Sequence, residues 1–245
     1  MVFRTRCLFL VFVGHVISVA MLFAPSTVAI AENRLFPTGL PQSQWKQFDA
    51  VGYANSVAGV VYRTGQDLVC GLPLGAVDTG CVDLELDGTF GYMTNYNSHV
   101  PRRGKVDLPF LGLTVGDKAW VLSTRKFPGA TSAESIDYWG HFPIVDLEYQ
   151  TTAPVDVGLR AWAPFIVGDE AVSNTPGAVF EVHLRNPTKT VQQGSVVFSF
   201  PGPTDGESGS TTYTHKQLDT SSAKGWLVGG NNGELAVGVI GSTTP

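Results

Sequence analysis

The chain has 245 residues, of which only 15% are charged, and it carries 28 glycines, 15 prolines and a formal net charge of −5. So little charge with so much glycine and proline excludes a coiled coil, a helical solenoid and a disordered acidic chain. The net negative charge provides no general attraction to phosphate backbones, so we expect no nucleic-acid partner.

The N-terminus has the layout of a secretory signal peptide. Arg4 and Arg6 precede an apolar run over residues 7–24, and small residues ending at Ala31 form a cleavage site. We expect cleavage after Ala31 and export of the remaining chain to the periplasm or the medium, with no membrane contact afterwards. The alternative is a retained membrane anchor, but the run is near the lower limit for crossing a bilayer and His15 lies in its middle.

Short apolar runs separated by glycine, proline, asparagine and aspartate predict an all-β fold from residue 57 onward. Residues 1–31 are the expected signal peptide, and residues 32–56 are predicted as an extended leader because they show little periodicity. Residues 57–245 are predicted as one β-sandwich domain. The predicted strands are Val57–Arg63, 81–86, 90–96, 118–124, 145–149, 155–162, 179–185, 195–200 and 235–240.

Two predicted strands alternate strictly between apolar and polar residues. Leu159 and Ala161 share one face while Arg160 takes the other, and Phe180 likewise opposes His183. One apolar and one solvated face on each strand is typical of antiparallel sheets packed as a sandwich. We therefore expect an antiparallel β-sandwich with the histidine on a solvated face.

The clearest carboxylate cluster is formed by Asp83, Glu85 and Asp87, which alternate along one predicted strand at about 6.8 Å spacing. Carboxyl groups on both sides of a glycosidic bond are what glycoside hydrolysis requires. Because apolar residues alternate with these acids, the favoured interpretation is a solvated face that ends in a hairpin turn at Asp87 and Gly88. No spacing supports a metal site or a phosphate-binding loop, so we expect neither metal nor cofactor.

Four aromatic side chains and two cysteines leave alternatives open. Tyr138, Trp139, Phe142 and Trp162 could stack on sugar rings, or they could form core or interdomain contacts. Cys70 and Cys81 could form a disulfide in an exported protein, or they could be two buried thiols.

Three segments resemble the N-terminal domain of glycoside hydrolase family 116, which includes bacterial β-glucosidases and non-lysosomal glucosylceramidases. Residues 71–81 (GLPLGAVDTGC), running on to residue 97, are similar to the family's opening glycine-rich motif. Residues 138–146 (YWGHFPIVD) are similar to its tyrosine–proline segment. Residues 157–166 (VGLRAWAPFI), followed by 173–176 and 182–186, resemble its APFIP stretch. Together the matches extend over about residues 65–240.

The resemblance implies an N-terminal β-sandwich whose partner is an (α/α)6 barrel, supplied in cis or from an adjacent reading frame. In the family, that barrel carries the glutamate nucleophile and the aspartate acid/base. The resemblance therefore implies that this chain has no catalytic residue and is inactive alone. The family's sandwich runs longer, which favours a truncated chain that lacks its last strands. The alternative is a free-standing carbohydrate-binding or adhesion module with a glycan as its partner.

Overall fold

A computed structural model describes residues 5–11, 17–23, 46–49, 54–63, 65, 71–77, 79–94, 108–200, 202 and 205–240. Strands numbered in chain order make up nearly all of the regular structure. The helices of these residues are α1 (Glu170–Ser173) and α2 (Asp205–Ser208), of four residues each. In the same residues, no helix has the length and apolar character needed to span a bilayer. The all-β prediction is confirmed.

The largest sheet has ten strands, and all of its neighbouring strands run antiparallel. In spatial order they are β17 (Thr214–Asp219), β18 (Ala223–Gly230), β19 (Gly233–Ile240), β1 (Thr5–Val11), β15 (Ala178–Arg185), β14 (Asp156–Trp162), β13 (Ile144–Gln150), β12 (Ser135–His141), β4 (Val57–Arg63) and β3 (Lys46–Phe48).

Two smaller sheets complete the fold. The five-stranded sheet has the order β11 (Thr131–Ser132), β10 (Lys118–Val121), β9 (Leu111–Val115), β16 (Gln192–Phe198) and β2 (Ile17–Phe23), and its β10–β11 pair is parallel. The four-stranded antiparallel sheet has the order β5 (Leu72–Leu74), β6 (Cys81–Leu84), β7 (Thr89–Thr94) and β8 (Leu108–Pro109).

The apolar faces of β14 and β15 lie where the alternation predicts. Val157, Leu159, Ala161, Phe180 and Val182 are all buried, with at most 1% of any side chain exposed. They pack in one core with residues of the five-stranded and four-stranded sheets. Sheets that bury one face against another form a sandwich, so the predicted architecture is confirmed.

A cluster of phenylalanine rings joins the three sheets. Phe90 on β7 stacks on Phe110 with ring centroids 4.1 Å apart, and Phe110 contacts Phe180 on β15 at 5.7 Å. Phe198 on β16 lies 5.3 Å from Phe180. Large aromatic side chains bury much apolar surface and add favourable edge-to-face contacts, so this cluster is the centre of the core.

Strand positions agree with prediction where the alternation is regular and differ where glycine or polar residues interrupt it. β4 has the predicted bounds, whereas β12 and β9 were not predicted. The segment 221–233 resembles a loop in composition, yet most of it is strand β18. Glycine fits this strand because a Cβ at Gly225 would lie 2.0 Å from the carbonyl oxygen of Val237 on β19.

The N-terminal segments contribute strands. Thr5–Val11 and Ile17–Phe23, which fall in the predicted signal peptide, form β1 and β2. Lys46–Phe48, in the predicted leader, forms β3 and pairs with β4, while residues 32–45 lie outside the described residues. The signal peptide and its cleavage remain predictions.

Candidate functional site

The side of the ten-stranded sheet that faces away from the core carries charged residues on three neighbouring strands. Asp146 on β13 lies opposite Arg160 on β14, and Arg160 lies opposite Glu181 on β15. Residues paired across antiparallel strands point to the same face, so charges of alternating sign form a row across the sheet. We call these three residues, together with His141 and His183, the outer-face network.

Asp146 is the centre of this network. Its Oδ1 accepts a hydrogen bond of 2.7 Å from Nε of Arg160, and its Oδ2 accepts one of 2.8 Å from a terminal guanidinium nitrogen. Nε2 of His141 lies 3.1 Å from the same Oδ2. This is the two-pronged arginine–carboxylate geometry with an added imidazole donor, among the strongest hydrogen-bonding arrangements in proteins.

The surroundings keep Asp146 ionised. Burial alone raises the pKa of its carboxyl group, but the hydrogen bonds and positive charge of Arg160, with those of His141, outweigh burial and hold the pKa below its ordinary value of 3.8. A carboxylate whose lone pairs are taken up by such donors is a weak base and a weak nucleophile. The arrangement therefore suits structural stabilisation better than acid–base chemistry.

Glu181 extends the network to the next strand. Its Oε1 accepts a hydrogen bond of 3.3 Å from the indole nitrogen of Trp162, and its Oε2 lies 3.4 Å from Nε2 of His183. Trp162 and Glu181 are half-buried. The network therefore ties together the outer face of β12, β13, β14 and β15.

The outer face is less solvated than the alternation predicts. Asp146, Glu148, His141 and His183 expose between 2% and 6% of their surface. The predicted solvated position of His183 is therefore wrong. For Asp146 and His141, burial is tolerated because each charged or polar group contacts a partner of complementary character.

A second arginine–aspartate pair lies at the other end of the same strands. Nε of Arg185 donates to Oδ2 of Asp156 at 2.7 Å, the same distance as in the central pair. The side chain of Asp156 is 40% exposed, compared with 3% for Asp146. The two pairs thus share the same Nε–carboxylate distance in surroundings of very different exposure.

One end of the sandwich carries an exposed apolar group, which we call the end patch. Its members are Phe142, Phe165, Ile166, Val167 and Val172, with 37% to 89% of each side chain exposed. Phe142 and Phe165 touch edge to face with ring centroids 5.4 Å apart. Ser173 holds the loop in place, since its hydroxyl bonds both the N–H and the carbonyl of Ile166. Contiguous exposed apolar side chains are typical of a surface that meets a partner or ligand.

The predicted carboxylate cluster lies mostly in the interior. Asp83 on β6 and Glu85 just after it are 2% and 3% exposed, so the expected solvated face is wrong for these two acids. Asp87 is half-buried, and its Oδ1 accepts hydrogen bonds from the N–H and hydroxyl of Thr89. The hairpin turn predicted at Asp87 and Gly88 is confirmed, since β6 and β7 pair around it. Buried acids of this kind give a sugar substrate no access.

The four predicted aromatics do not form one platform. Tyr138 and Trp139 are neighbours on β12 with 2% and 1% exposure, and their side chains point to opposite faces. The Tyr138 hydroxyl donates to the Leu84 carbonyl and accepts from the Leu72 N–H, which fixes the four-stranded sheet to the large one. Phe142 belongs to the end patch, and Trp162 bonds to the outer-face network.

The cysteines and possible metal ligands add no site to the described residues. Cys81 is half-buried, with its Sγ 3.6 Å from the hydroxyl of Thr94. Cys70 lies outside the described residues, so the disulfide remains a prediction. Among the residues that the structure describes, no group of three or more histidine, cysteine, aspartate or glutamate side chains could hold a metal ion.

Sequence reasoning missed the outer-face network. The sequence does contain a pattern that indicates this network. Trp139 and His141 alternate before a short turn, and Asp146 follows it. In a hairpin, these three side chains, each with a hydrogen-bonding group, lie on one face. Recognising that hairpin requires β12, whose serine, aspartate, glycine and histidine give it a weak strand signal.

Comparison with known proteins identifies the domain. The chain matches the family described as beta-glucosidase 2, glycosyl-hydrolase family 116 N-term, over residues 71–233. The matched region contains the four-stranded sheet, the outer-face network and the end patch. No curated protein matches the sequence closely enough to count as a relative. Because the match extends over most of the chain, this protein belongs to the glycosyl hydrolase family 116 N-terminal domain family.

Proposed function

We propose that the chain is the non-catalytic N-terminal β-sandwich domain of an exported family 116 glycoside hydrolase of the β-glucosidase or glucosylceramidase type. An (α/α)6 barrel, encoded in cis or in an adjacent reading frame, supplies the nucleophile and the acid/base. The observation that carries the proposal is the family match over residues 71–233, which extends through all three sheets.

The surroundings of the described acidic residues favour a non-catalytic role. Glycoside hydrolysis needs two carboxyl groups that face a sugar from opposite sides. Asp146 is tied to Arg160 and His141, and Asp83 and Glu85 are buried. A rigid sandwich that fixes its own charges in ion pairs suits the role of a scaffold for a neighbouring catalytic domain.

The end patch supports contact with that catalytic domain. Val167 exposes 89% of its side chain beside Phe165 and Ile166, an arrangement that is unfavourable in water. Covering such a surface by a partner removes apolar area from water and stabilises the complex. We propose that the barrel covers the end patch.

A calorimetric binding experiment with the catalytic domain tests this contact. A gene for a barrel, sought directly after codon 245, is expressed separately, and its affinity for the full chain is measured by calorimetry. Val167→Asp places a charge in the end patch, whereas Val191→Asp makes the same change at a position 59% exposed outside it. We expect the first variant to weaken binding at least tenfold and the second to leave it unchanged. Equal affinities would argue against the contact.

Activity measurements test the non-catalytic role. The purified chain should not hydrolyse an aryl β-glucoside, while the assembled pair should, with retention of configuration. Hydrolysis by the chain alone at an enzymatic rate, which survives further purification, would refute the proposal.

A carbohydrate-binding module is the second candidate, favoured by the exposed ring pair of Phe142 and Phe165. Flat apolar ring faces suit sugar rings. Glycan binding that is lost in Phe142→Ala, together with no affinity for a barrel, would favour this candidate over the first.

A further inference from the structure

The N-terminal strand β1 lies inside the largest sheet rather than at its edge. All seven of its residues pair with β15, from Thr5 opposite Leu184 to Val11 opposite Ala178. On its other side, three residues of β1 pair with β19, including Phe9 opposite Val239. β1 is therefore the link between the β17–β18–β19 hairpins and the other strands of the sheet.

The predicted processing of the N-terminus would remove this link. Cleavage after residue 31 would take away β1 and also β2, which pairs along its full length with β16 at the edge of the five-stranded sheet. The N–H and carbonyl groups of β15 and β19 that face β1 would then lose their partners. Unpaired strand edges next to a packed core are energetically unfavourable, and they readily accept another strand.

We infer that the space between β15 and β19 is a strand-acceptor site, filled by Thr5–Val11 in the full chain. Once residues 1–31 are removed, an extended apolar strand of another polypeptide binds there, antiparallel to both neighbours.

The surroundings of the site define the chemistry of the strand that fits it. Phe180 and Val182 on β15 and Val237 on β19 are core residues with at most 1% exposure. A strand between them must therefore offer apolar residues at alternate positions. Thr5–Val11 has the sequence TRCLFLV, and its register sets Phe9 opposite Phe180 and Cys7 opposite Val182. The partner is thus a β-strand of at least seven residues with this alternation.

This inference rests on sheet register and on the predicted removal of residues 1–31, and it is independent of the proposed catalytic partner. Its test starts from the full chain, produced without export so that residues 1–31 are retained, with a protease site inserted between residues 31 and 32. The folded protein is cut, and hydrogen exchange is measured at residues 178–184 and 238–240. We expect the 1–31 fragment to stay bound after the cut and these amides to stay protected. Release of the fragment with unchanged protection would overturn the inference.

Peptide exchange tests the acceptor site directly. A peptide with the sequence of residues 5–11, flanked by lysines for solubility, is added in excess to the cut protein, and its uptake is followed by native mass spectrometry. We expect uptake of this peptide and of its Phe9→Val form, but not of the Phe9→Pro form, because proline removes a backbone N–H from the centre of the strand. Equal uptake of the valine and proline peptides would overturn the inference.

Precipitation of the cut protein would also test the strand-acceptor site. If the cut protein precipitates when the fragment leaves, we expect the wild-type peptide to keep it soluble and the proline peptide to fail. Rescue by both peptides, or by neither, would contradict a strand-acceptor site.

Discussion

The central ion pair allows the strongest test of the outer-face network. Arg160→Gln removes the guanidinium but leaves the Asp146 carboxylate, whose side chain is only 3% exposed, without its main counter-charge. Breaking a buried ion pair by removing one partner costs about 3–5 kcal/mol, because an uncompensated charge stays in the interior. We expect a loss of this size in the free energy of unfolding at neutral pH.

Arg185→Gln is the matched control. It breaks a pair with the same 2.7 Å distance, but the remaining carboxylate of Asp156 is 40% exposed and can be hydrated. Exposed pairs contribute about 0–1 kcal/mol, so we expect a loss within that range. Both full-length variants are compared with the wild type by urea unfolding followed by tryptophan fluorescence and circular dichroism. Equal losses in the two variants would refute the claim that burial determines the strength of the central pair.

Three further predictions follow from other parts of the structure. Gly88→Ala and Gly129→Ala both place a side chain at positive φ, but the new Cβ would lie 2.5 Å from a carbonyl oxygen at position 88 and in open space at position 129. In urea unfolding, we expect the free energy of unfolding to fall by about 1 kcal/mol for Gly129→Ala and by more for Gly88→Ala. Tyr149 has a buried hydroxyl with no hydrogen-bond partner among the described residues, and burial raises its pKa, whereas the Tyr138 hydroxyl bonds twice. Tyr149→Phe should therefore keep or raise the thermal midpoint, while Tyr138→Phe should cost about 1–2 kcal/mol, and the reverse order would contradict this assignment. Because the pKa of Asp146 is lowered in the folded state, the ionised carboxylate contributes fully to the free energy of unfolding above about pH 4, and this contribution is lost as the pH falls further. The stability of Asp146→Asn should therefore depend less on acid pH than that of the wild type, and identical pH profiles of the two proteins would count against this assignment.

The extent to which the sequence predicts this fold depends on how strictly a segment alternates. β14 and β15 have apolar residues at every second position, so their apolar buried faces were predictable, and their bounds were predictable to within one residue. β18 was not, because glycines and lysine hide its periodicity, and its Gly225 is set by the close approach of β19 rather than by any local preference. The local sequence pattern therefore predicts a strand only where close approach of a neighbouring strand does not require a residue, such as glycine, that breaks the pattern.

The site was harder to predict than the strands for a similar reason. A charged or polar residue on a strand indicates a solvated face when it is considered alone; that interpretation was wrong for His183, and Asp146 is buried as well. For Asp146, burial depends on Arg160, which lies on the neighbouring strand 14 residues further along the chain, a separation that no local pattern reports. Membership of the family was more accessible, because glycine and proline motifs are constrained within short segments.

The outer-face network also explains why this domain retains buried charge at all. In a sheet, a shift of one residue exchanges the two faces of a strand. Moving β14 by one position relative to β13 and β15 would place Arg160 in the apolar core and expose Leu159, while separating the guanidinium from the carboxylates of Asp146 and Glu181. The row of alternating charges therefore penalises the wrong register twice, through lost pairing and through a charge buried among apolar side chains. A domain that must present a fixed surface to a neighbour gains from such a constraint, even where apolar residues of similar volume would give equal stability.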